Sequence, residues 1–481
     1  MKKKTVFLLI SLIVYCYLFF QQSIGINVLI FNGIVITCLG VLDPSLLRQK
    51  NWCLVAVGAL MTATGAFLYG SVLSCIGNVI ALLLLANLSR EKEASLFFAL
   101  IQTGFNYIVS PLIRLVNGID KLTDATDKES RVFNMTVGTL LKFLIPSVIL
   151  LFFFFVYKDS NPVFSNFVNQ FAFDISWDFI QFLLFGTFLL YFFFNQYSYF
   201  PLVNKDRTSV NYLSGINEKE ISLFRSIDTE YGSGILMFGL LNSLLLLVNY
   251  LDIQYILFAK KDISLYSDYI HQGVNSSIFS VIVAILVTLF FFRGNLNFYS
   301  KNRKIKTVAL IWIAQNIILL FTCIHKNYSY IDAFGLTHKR IGVYIYLLVT
   351  LVGLILTWIK ITRVKSNTYL LRTNTWSVFS ILVVSSLFNW NQIVFHHNTT
   401  CQPSIERDYY LENLPETSLP FLLKNWGELP VDRYGWASRP FKEKLMCKKK
   451  DFLKRYHQKK WQSWNLKDDR IYREIKQTEI N

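Results

Sequence analysis

The sequence predicts an all-α membrane protein: a bundle of about eleven transmembrane helices, with twelve as the alternative, and a small extramembrane tail at the C-terminus. Three observations predict this fold class. Hydrophobic residues make up 53% of the chain and charged residues only 16%, whereas a soluble protein has about 25% charged residues. Long apolar stretches recur along the chain. The loops between these stretches carry Lys and Arg almost wholly on alternate sides.

A helix needs about 20 mostly apolar residues to cross a hydrocarbon core of roughly 30 Å, and it satisfies its own backbone groups there. Eleven stretches suit this length: 6–20, 24–42, 52–69, 72–88, 137–157, 177–200, 234–258, 272–292, 305–324, 341–359 and 376–395. The first follows three lysines and also resembles a signal peptide. It has no small-residue cleavage site and a second span follows at once, which favours a retained helix.

Residues 95–117 are apolar enough to be a twelfth span. They contain Gln102, Asn106, Pro111 and Arg114. Counting them as a crossing would invert everything downstream and place the basic loop at 293–306 outside, against the charge bias. The sequence therefore predicts an interfacial or partly inserted amphipathic helix on the inner face.

The basic residues predict the orientation, because Lys and Arg near spans stay in the cytoplasm. With the N-terminus inside, the inner segments hold about 24 basic residues and the outer loops only about six, an asymmetry of roughly fourfold. Lys326, Lys339 and Arg340 are among those assigned to outer loops. The C-terminal tail is then extracytoplasmic.

Four regions follow from this reading: a four-span region at 1–94, the interfacial helix and a cytoplasmic loop at 95–136, a seven-span region at 137–395, and a basic, aromatic tail at 396–481. At about 85 residues the tail is near the lower limit for an independent core, so we expect it to dock, and it is available to a protein partner. Cys401 and Cys447 could form a disulfide outside the cell and would stay reduced in the cytoplasm.

The sequence lacks the motifs that mark several classes of function. The chain has no GxGxxG, P-loop, HExxH, GxSxG or CxxC pattern, so no cofactor and no catalytic residue is predicted. The net charge of +17 is spread among loops without a nucleic-acid reader motif, so nucleic-acid binding is not expected. Loop cations instead suit the lipid bilayer, whose anionic headgroups attract each of them by about 1 kcal/mol.

The later spans carry amide and hydroxyl side chains. Asn242, Asn249 and Asp252 lie on one span, and Gln315 and Asn316 lie in the middle of another. A further group, His271, Gln272 and Asn275, opens the span between them. Hydrogen bonding between helices, worth about 0.6 to 2 kcal/mol per contact, is one interpretation, and a path for substrate or ions is the other.

Five of the six histidines fall at the predicted outer face: His271, His325, His338, His396 and His397. Imidazole binds transition metals and titrates near neutral pH, although it also suits a membrane interface. A shared outer vestibule formed by His271, His325 and His338, with Asp252 near its floor, is predicted from the succession of their helices. A metal there remains an open alternative.

Two further groups of charged residues are candidates. Arg293 and Asn295 lie at an inner helix end, where a cation meets the helix dipole and lipid phosphate. Thr337, His338, Lys339 and Arg340 precede a span on the outer side, where cations break the charge rule. Their neutralisation by Asp332, by Asp252 or by an anionic ligand is predicted.

Residues 269–360 carry a resemblance through YIHQGVN, FFRGNLNFYSKN, WIAQNIILLF, GLTHKRIGVYIYLL and VGLILTWIKI. This half of the chain resembles an uncharacterised bacterial family of polytopic inner-membrane proteins, a domain of unknown function of the DUF4173/DUF4153 type. The resemblance implies a multi-pass protein of the bacterial cytoplasmic membrane. It implies no reaction, cofactor or catalytic residue.

Two classes of function remain. The first is transport or the handling of a lipid or small solute, with an anionic lipid or a small anionic solute as the expected partner. The alternative is a non-catalytic membrane sensor or scaffold for a partner protein, favoured by the near absence of acidic residues within the spans. An intramembrane enzyme ranks third.

Overall fold

The computed structural model describes residues 3–111, a few positions between 150 and 164, and residues 176–196, 198–213, 215, 226–258, 277, 279–401, 407–414, 416–425 and 441–480. All regular elements of this part of the chain are helices, and its only extended pairing is a single bridge between Tyr212 and Lys365.

The N-terminal half contains α1 (Lys3–Phe19), α2 (Ile26–Leu42), α3 (Lys50–Tyr69), α4 (Val72–Arg90), α5 (Leu96–Ile108), α6 (Trp177–Phe194) and α7 (Phe200–Thr208). It is followed by α8 (Ile227–Phe258), α9 (Phe279–Phe291), α10 (Asn302–Phe334), α11 (His338–Thr362), α12 (Asn367–Ser386) and α13 (Trp390–Cys401). The tail contributes α14 (Arg407–Asn413), α15 (Leu419–Asn425), α16 (Phe441–Gln458) and α17 (Leu466–Ile480).

Six helices of the described residues are long and apolar enough to cross a membrane, or seven if α12 and α13 form one bent span. These six are α3, α4, α6, α8, α10 and α11, and α2, α5 and α9 are shorter apolar helices. The all-α, multi-pass prediction is therefore confirmed, while the count of about eleven is not. Most of the predicted span 137–157 lies outside the described residues.

Two predicted spans differ from the observed helices. The last one, 376–395, is a pair of helices bent by 64° at residues 387–389. The span predicted at 305–324 continues as α10 to Phe334. The residues after 324 are polar, so their hydropathy predicts a loop. The helix continues through them because Lys326 and Asn327 are buried with polar partners.

The loops meet at two opposite ends of the bundle. At one end lie residues 43–50, 90–95, 206–213, 292–302 and 363–366, joined by contacts such as Lys92 to Asp43 and the Leu213 N–H to the Val364 carbonyl. This end is called the basic face. The other end, called the tail face, holds residues 22–25, 67–71 and 335–341 together with the tail.

Two hydrophobic clusters fill the space between the faces. One joins α2 to α6 with α12 through side chains such as Leu85, Ala99 and Phe379. The other joins α8 to α11. At Gly65 on α3, a Cβ atom would lie 2.2 Å from the Ser386 carbonyl oxygen, so only glycine permits this close approach of α12. Toward lipid, α8 presents leucines that are each more than half exposed: Leu236, Leu240, Leu244, Leu247 and Leu251.

Helix α5 occupies the segment for which an interfacial or partly inserted helix is predicted. Its Asn106 amide donates to the Phe192 carbonyl (3.1 Å), and the Tyr107 hydroxyl donates to the Leu189 carbonyl (3.1 Å). These contacts place α5 beside α6, while its position relative to the membrane stays a prediction. The continuation of the segment after Pro111 lies outside the described residues.

A buried carboxylate fixes the start of α5 on the basic face. Asp206 accepts from the Ser95 N–H (2.7 Å) and hydroxyl (2.9 Å) and from the Arg372 guanidinium (2.7 Å). An acid at a helix N-terminus satisfies free N–H groups and the dipole. α5, α7 and α12 are thus tied at one point.

The tail packs on the tail face. Leu411, Leu422, Leu445 and Ile475 form a cluster with Ile331, Leu336 and Ile341 from the ends of α10 and α11. The Trp464 carbonyl accepts from the Ile26 N–H (2.9 Å), and a Cβ at Gly25 would lie 2.5 Å from that carbonyl oxygen. The expected docking is observed. Cys401 and Cys447 are exposed free thiols.

Candidate functional site

A polar seam runs along the contact between α8 and α10. The Asn242 amide donates to the Val308 carbonyl (3.0 Å), and its oxygen accepts from the Gln315 amide (3.0 Å). Seven residues further along α8, the Asn249 side-chain amide donates to the Gln315 backbone carbonyl (3.1 Å). Residues seven apart return to the same helix face, which explains why Asn242 and Asn249 meet α10 in register.

The seam ends in a buried ion pair. The Lys326 ammonium lies 2.8 Å from the Asp252 carboxylate, with side chains only 5% and 10% exposed. The Thr322 hydroxyl shares its proton between the Leu319 carbonyl (2.8 Å) and the same carboxylate (3.2 Å). Charges inside apolar helices are costly and are retained only when paired, so the pair joins α8 to α10 firmly.

A cavity of about 320 Å³ lies beside the seam, between α8, α9 and α10. The described residues of its wall are apolar except Ser277, Ser280 and Trp312. Val248 and Leu319 also line it, and Asp252 and Thr322 follow them by about one helical turn. The ion pair therefore lies at the tail-face end of the cavity.

Several polar atoms near this cavity have no hydrogen-bond partner among the described residues. These buried atoms are the oxygens of the Asn249, Gln315 and Asn316 side chains and the indole N–H of Trp312. A buried unpaired polar group costs about 1–3 kcal/mol. Three of the four belong to one stretch of α10, where the Trp312 N–H can donate a hydrogen bond and the Gln315 and Asn316 oxygens can each accept one.

At the basic face, Arg293 closes the end of α9. Its guanidinium pairs with Glu230 (3.2 Å), donates to the Phe290 carbonyl (2.8 Å) and lies over the Phe290 ring. Lys360 of α11 is 1% exposed and donates to the Phe292 carbonyl (2.6 Å). Both cations thus satisfy carbonyls and the negative end of the α9 dipole. Asn295 begins the short 3-10 turn that follows.

At the tail face, Arg340 is held by the end of α10. It donates to the carbonyls of Phe334 (2.8 Å) and Gly335, and its guanidinium lies 4.1 Å from the centre of the Tyr330 ring. Thr337 caps α11 by accepting from the Arg340 N–H. Backbone carbonyls and an aromatic ring therefore surround Arg340 in place of the predicted Asp332 or Asp252. Asp252 pairs with Lys326 instead.

Comparison with known proteins now gives a family. The family described as "Domain of unknown function (DUF4153)" matches residues 7–425. The chain belongs to the DUF4153 family. No curated protein and no solved structure matches it.

The remaining predicted site residues of this DUF4153 protein are dispersed. His325 is exposed on α10, inside the helix and not at its end, and Lys339 is exposed at the start of α11. His338, also exposed, shares a hydrogen bond with the Asn391 side chain (2.7 Å). His271, Gln272 and Asn275 lie outside the described residues, so the histidine vestibule stays a prediction. Within the part of the chain that is described, no group of three His, Cys, Asp or Glu side chains could hold a metal ion.

Sequence reasoning missed three residues of the DUF4153 site. The sequence predicts no site role for Lys326 and Thr322, which complete the ion pair, or for Trp312, which lines the cavity. One signal pointed to Lys326: an acid within an apolar span requires a cation nearby, and Lys326 is the charge nearest the end of the next-but-one predicted span.

Proposed function

We infer that this DUF4153 protein transports a small solute across the membrane, with the α8–α10 seam and the adjoining cavity as its path. The observation that carries this proposal is the buried Asp252–Lys326 pair. Ionisable residues inside membrane spans face the bundle interior and mark substrate or ion pathways.

The chemistry of the site favours a zwitterion with an apolar side chain. Asp252 and Lys326 offer one charge of each sign, so the ammonium and carboxylate of a zwitterion can replace the partner that each loses when the pair separates. The cavity wall beside them is largely apolar and suits an apolar side chain. The Trp312 N–H can donate a hydrogen bond to the solute, and the Gln315 and Asn316 oxygens, which have no partner among the described residues, can accept one.

The ion pair then acts as the gate on the tail-face side. While it is closed, the pair separates the cavity from that face. A solute that binds both charges offsets the cost of breaking them apart, which couples binding to opening. The two long helices α8 and α10 are the elements whose separation opens the path.

The proposed setting is the bacterial cytoplasmic membrane, with the basic face in the cytoplasm and the tail face outside. The support is the gathering of Arg90, Lys92, Arg293, Arg363 and Arg372 at one end of the bundle. Basic residues flanking spans stay in the cytoplasm. Under this orientation the gate faces the exterior.

A counterflow assay tests the proposal. Purified protein in liposomes preloaded with unlabelled solute receives radiolabelled leucine, glucose or phosphate outside, with protein-free liposomes as the blank. Leucine is expected to accumulate above the blank, while glucose, which lacks both charges, is not. Accumulation at the level of the blank for leucine and phosphate overturns transport of charged solutes and leaves the sensor or scaffold class as the better account.

A further inference from the structure

Two cavities lie one after the other along α2, α4 and α6, far from the seam in sequence. The first, of about 310 Å³, is lined in the middle of these helices by Val35, Leu83 and Leu190. The second, of about 290 Å³, is lined by Leu39, Ala86 and Phe194, one helical turn nearer the basic face. Phe193 lines both cavities. Because they share Phe193 the two cavities adjoin, and together they are called the groove.

The amide side chains that line the first cavity, called the inner cavity, already have hydrogen-bond partners. Its two amides, Asn32 and Asn78, bond to each other (3.0 and 3.1 Å), and Asn78 also donates to the Ala59 carbonyl (2.9 Å). The Tyr107 hydroxyl is satisfied by the Leu189 carbonyl (3.1 Å). Among the described lining residues the others are apolar apart from the Cys75 thiol and the Tyr15 hydroxyl, so a hydrocarbon chain fits this cavity.

The outer cavity, called the basic pocket, is lined by Lys4, Arg90 and Lys92 against one acid, Asp43. Lys92 is already paired with Asp43 (2.5 Å) and donates to the Ser45 hydroxyl. Arg90 has one long bond to the Ser198 hydroxyl (3.4 Å), and Lys4 is exposed. Within the described residues, neither Lys4 nor Arg90 has a carboxylate partner, so the pocket holds an excess of positive charge.

A buried amide in the same pocket lacks partners. Gln196 is 9% exposed, and both its side-chain nitrogen and oxygen are without a hydrogen bond among the described residues. Each unsatisfied group costs about 1–3 kcal/mol, which a bound ligand would recover. An anionic oxygen could accept from the amide nitrogen, and a hydroxyl could donate to its oxygen.

We propose that this groove binds one anionic phospholipid, with its phosphate in the basic pocket between Arg90, Lys4 and Gln196 and an acyl chain in the apolar cavity. The placement matches a lipid in a bilayer, since the pocket lies at the basic face and the cavity extends toward the bundle centre. Free phosphate shares the headgroup chemistry but leaves the apolar cavity unfilled. A zwitterionic lipid would bring an ammonium against Arg90.

The test is ligand-induced thermal stabilisation of the delipidated full-length protein in detergent. Phosphatidylglycerol, phosphatidylcholine and inorganic phosphate are titrated separately. We expect saturable stabilisation by phosphatidylglycerol that exceeds the effect of either other probe. Equal stabilisation by phosphatidylcholine, or by inorganic phosphate, overturns the proposal.

Variants locate the site. The Lys4→Gln/Arg90→Gln pair is expected to weaken phosphatidylglycerol binding by at least about tenfold, as loss of a charge-assisted contact of about 1.5–3 kcal/mol requires. Arg303→Gln/Lys304→Gln removes the same charge from exposed positions on the same face and should bind like wild type. Equal weakening in both variants means general surface attraction and overturns the site.

Two uncharged changes keep the test decisive if the charge variant fails to fold. Gln196→Leu removes the unpartnered amide and should weaken binding several-fold. Val79→Trp adds bulk to the apolar cavity at a position that is 56% exposed, so the fold should tolerate it while the acyl chain loses its space. Wild-type affinity in both variants overturns the proposal. Leucine counterflow is a separate measurement, so this site and the transport path can fail independently.

Discussion

The Lys326 ammonium on α10 lies 2.8 Å from the Asp252 carboxylate on α8, and both side chains are nearly inaccessible. Two unlike charges are held within helices apolar enough to cross a membrane. Such a pair has a high cost of desolvation, and its attraction repays that cost only while both partners are present. This relationship makes the pair a joint between two helices and, in the proposed function, a gate.

Removing one partner should destabilise the protein more than removing both. Asp252→Asn or Lys326→Met alone leaves an uncompensated buried charge, with an expected loss of about 3–5 kcal/mol. The Asp252→Asn/Lys326→Met double variant should recover most of this loss. Thermal unfolding in detergent measures the difference, and Asp451→Asn, at an exposed position of α16, is the matched control. Additive losses in the double variant would show that the two charges do not interact.

Arg340→Ala should destabilise the protein more than Arg363→Ala. Arg340 satisfies the last carbonyls of α10 and stacks on Tyr330, whereas Arg363 is exposed at the end of α11. We expect a loss of about 1–3 kcal/mol for Arg340→Ala and less than about 0.5 kcal/mol for Arg363→Ala. Melting temperature and membrane yield are the measurements. Equal values for the two variants would exclude a special role for Arg340.

The docked tail should loosen in acid. Burial alone would raise the pKa of Asp468, but a hydrogen bond from Lys459 and the charges of Lys467 and Lys459 outweigh it and hold the pKa below the ordinary value. The pKa of Glu416 is likewise lowered, because Lys467 and Arg455 outweigh its burial. A lowered folded-state pKa gives stability above the unfolded pKa of about 4 that is lost as the pH falls through the folded value.

Fluorescence of Trp464, which packs on Phe67, reports this docking, with Trp464→Phe as the blank. We expect a transition below about pH 4 in wild type that weakens in Asp468→Asn/Glu416→Gln. Asp451→Asn, at an exposed position of α16, should behave as wild type. An unchanged acid transition in the double variant would assign the docking to apolar contacts alone.

The proposed orientation predicts that the tail reacts with reagents from outside. Cys447 is exposed and free, so a variant that keeps only this cysteine should be labelled by a membrane-impermeant maleimide in right-side-out vesicles. Lys304→Cys in the cysteine-free background, on the basic face, should react only after permeabilisation. The reverse pattern would place the tail in the cytoplasm and would mean that residues 95–117 complete a crossing.

The positions of the helices follow largely from hydropathy, but their polar contacts do not. Asn242 and Gln315 are recognisable as unusual residues within apolar stretches, and they do meet. The sequence predicts a loop at Lys326 because the residues after it are polar, although pairing with Asp252 keeps it inside the helix. For Arg340 the sequence predicts an acid or an anionic ligand as the partner, because it shows charges but not the carbonyls that a helix end leaves available.

The most direct test of the transport account is leucine counterflow by the Asp252→Asn/Lys326→Met double variant in liposomes, compared with wild type at equal reconstituted amounts. The account predicts loss of leucine accumulation together with a melting temperature close to that of wild type, because the variant lacks both gate charges but buries no unpaired one. Accumulation at the wild-type level by this stable variant would contradict the account and leave the ion pair as a purely structural joint.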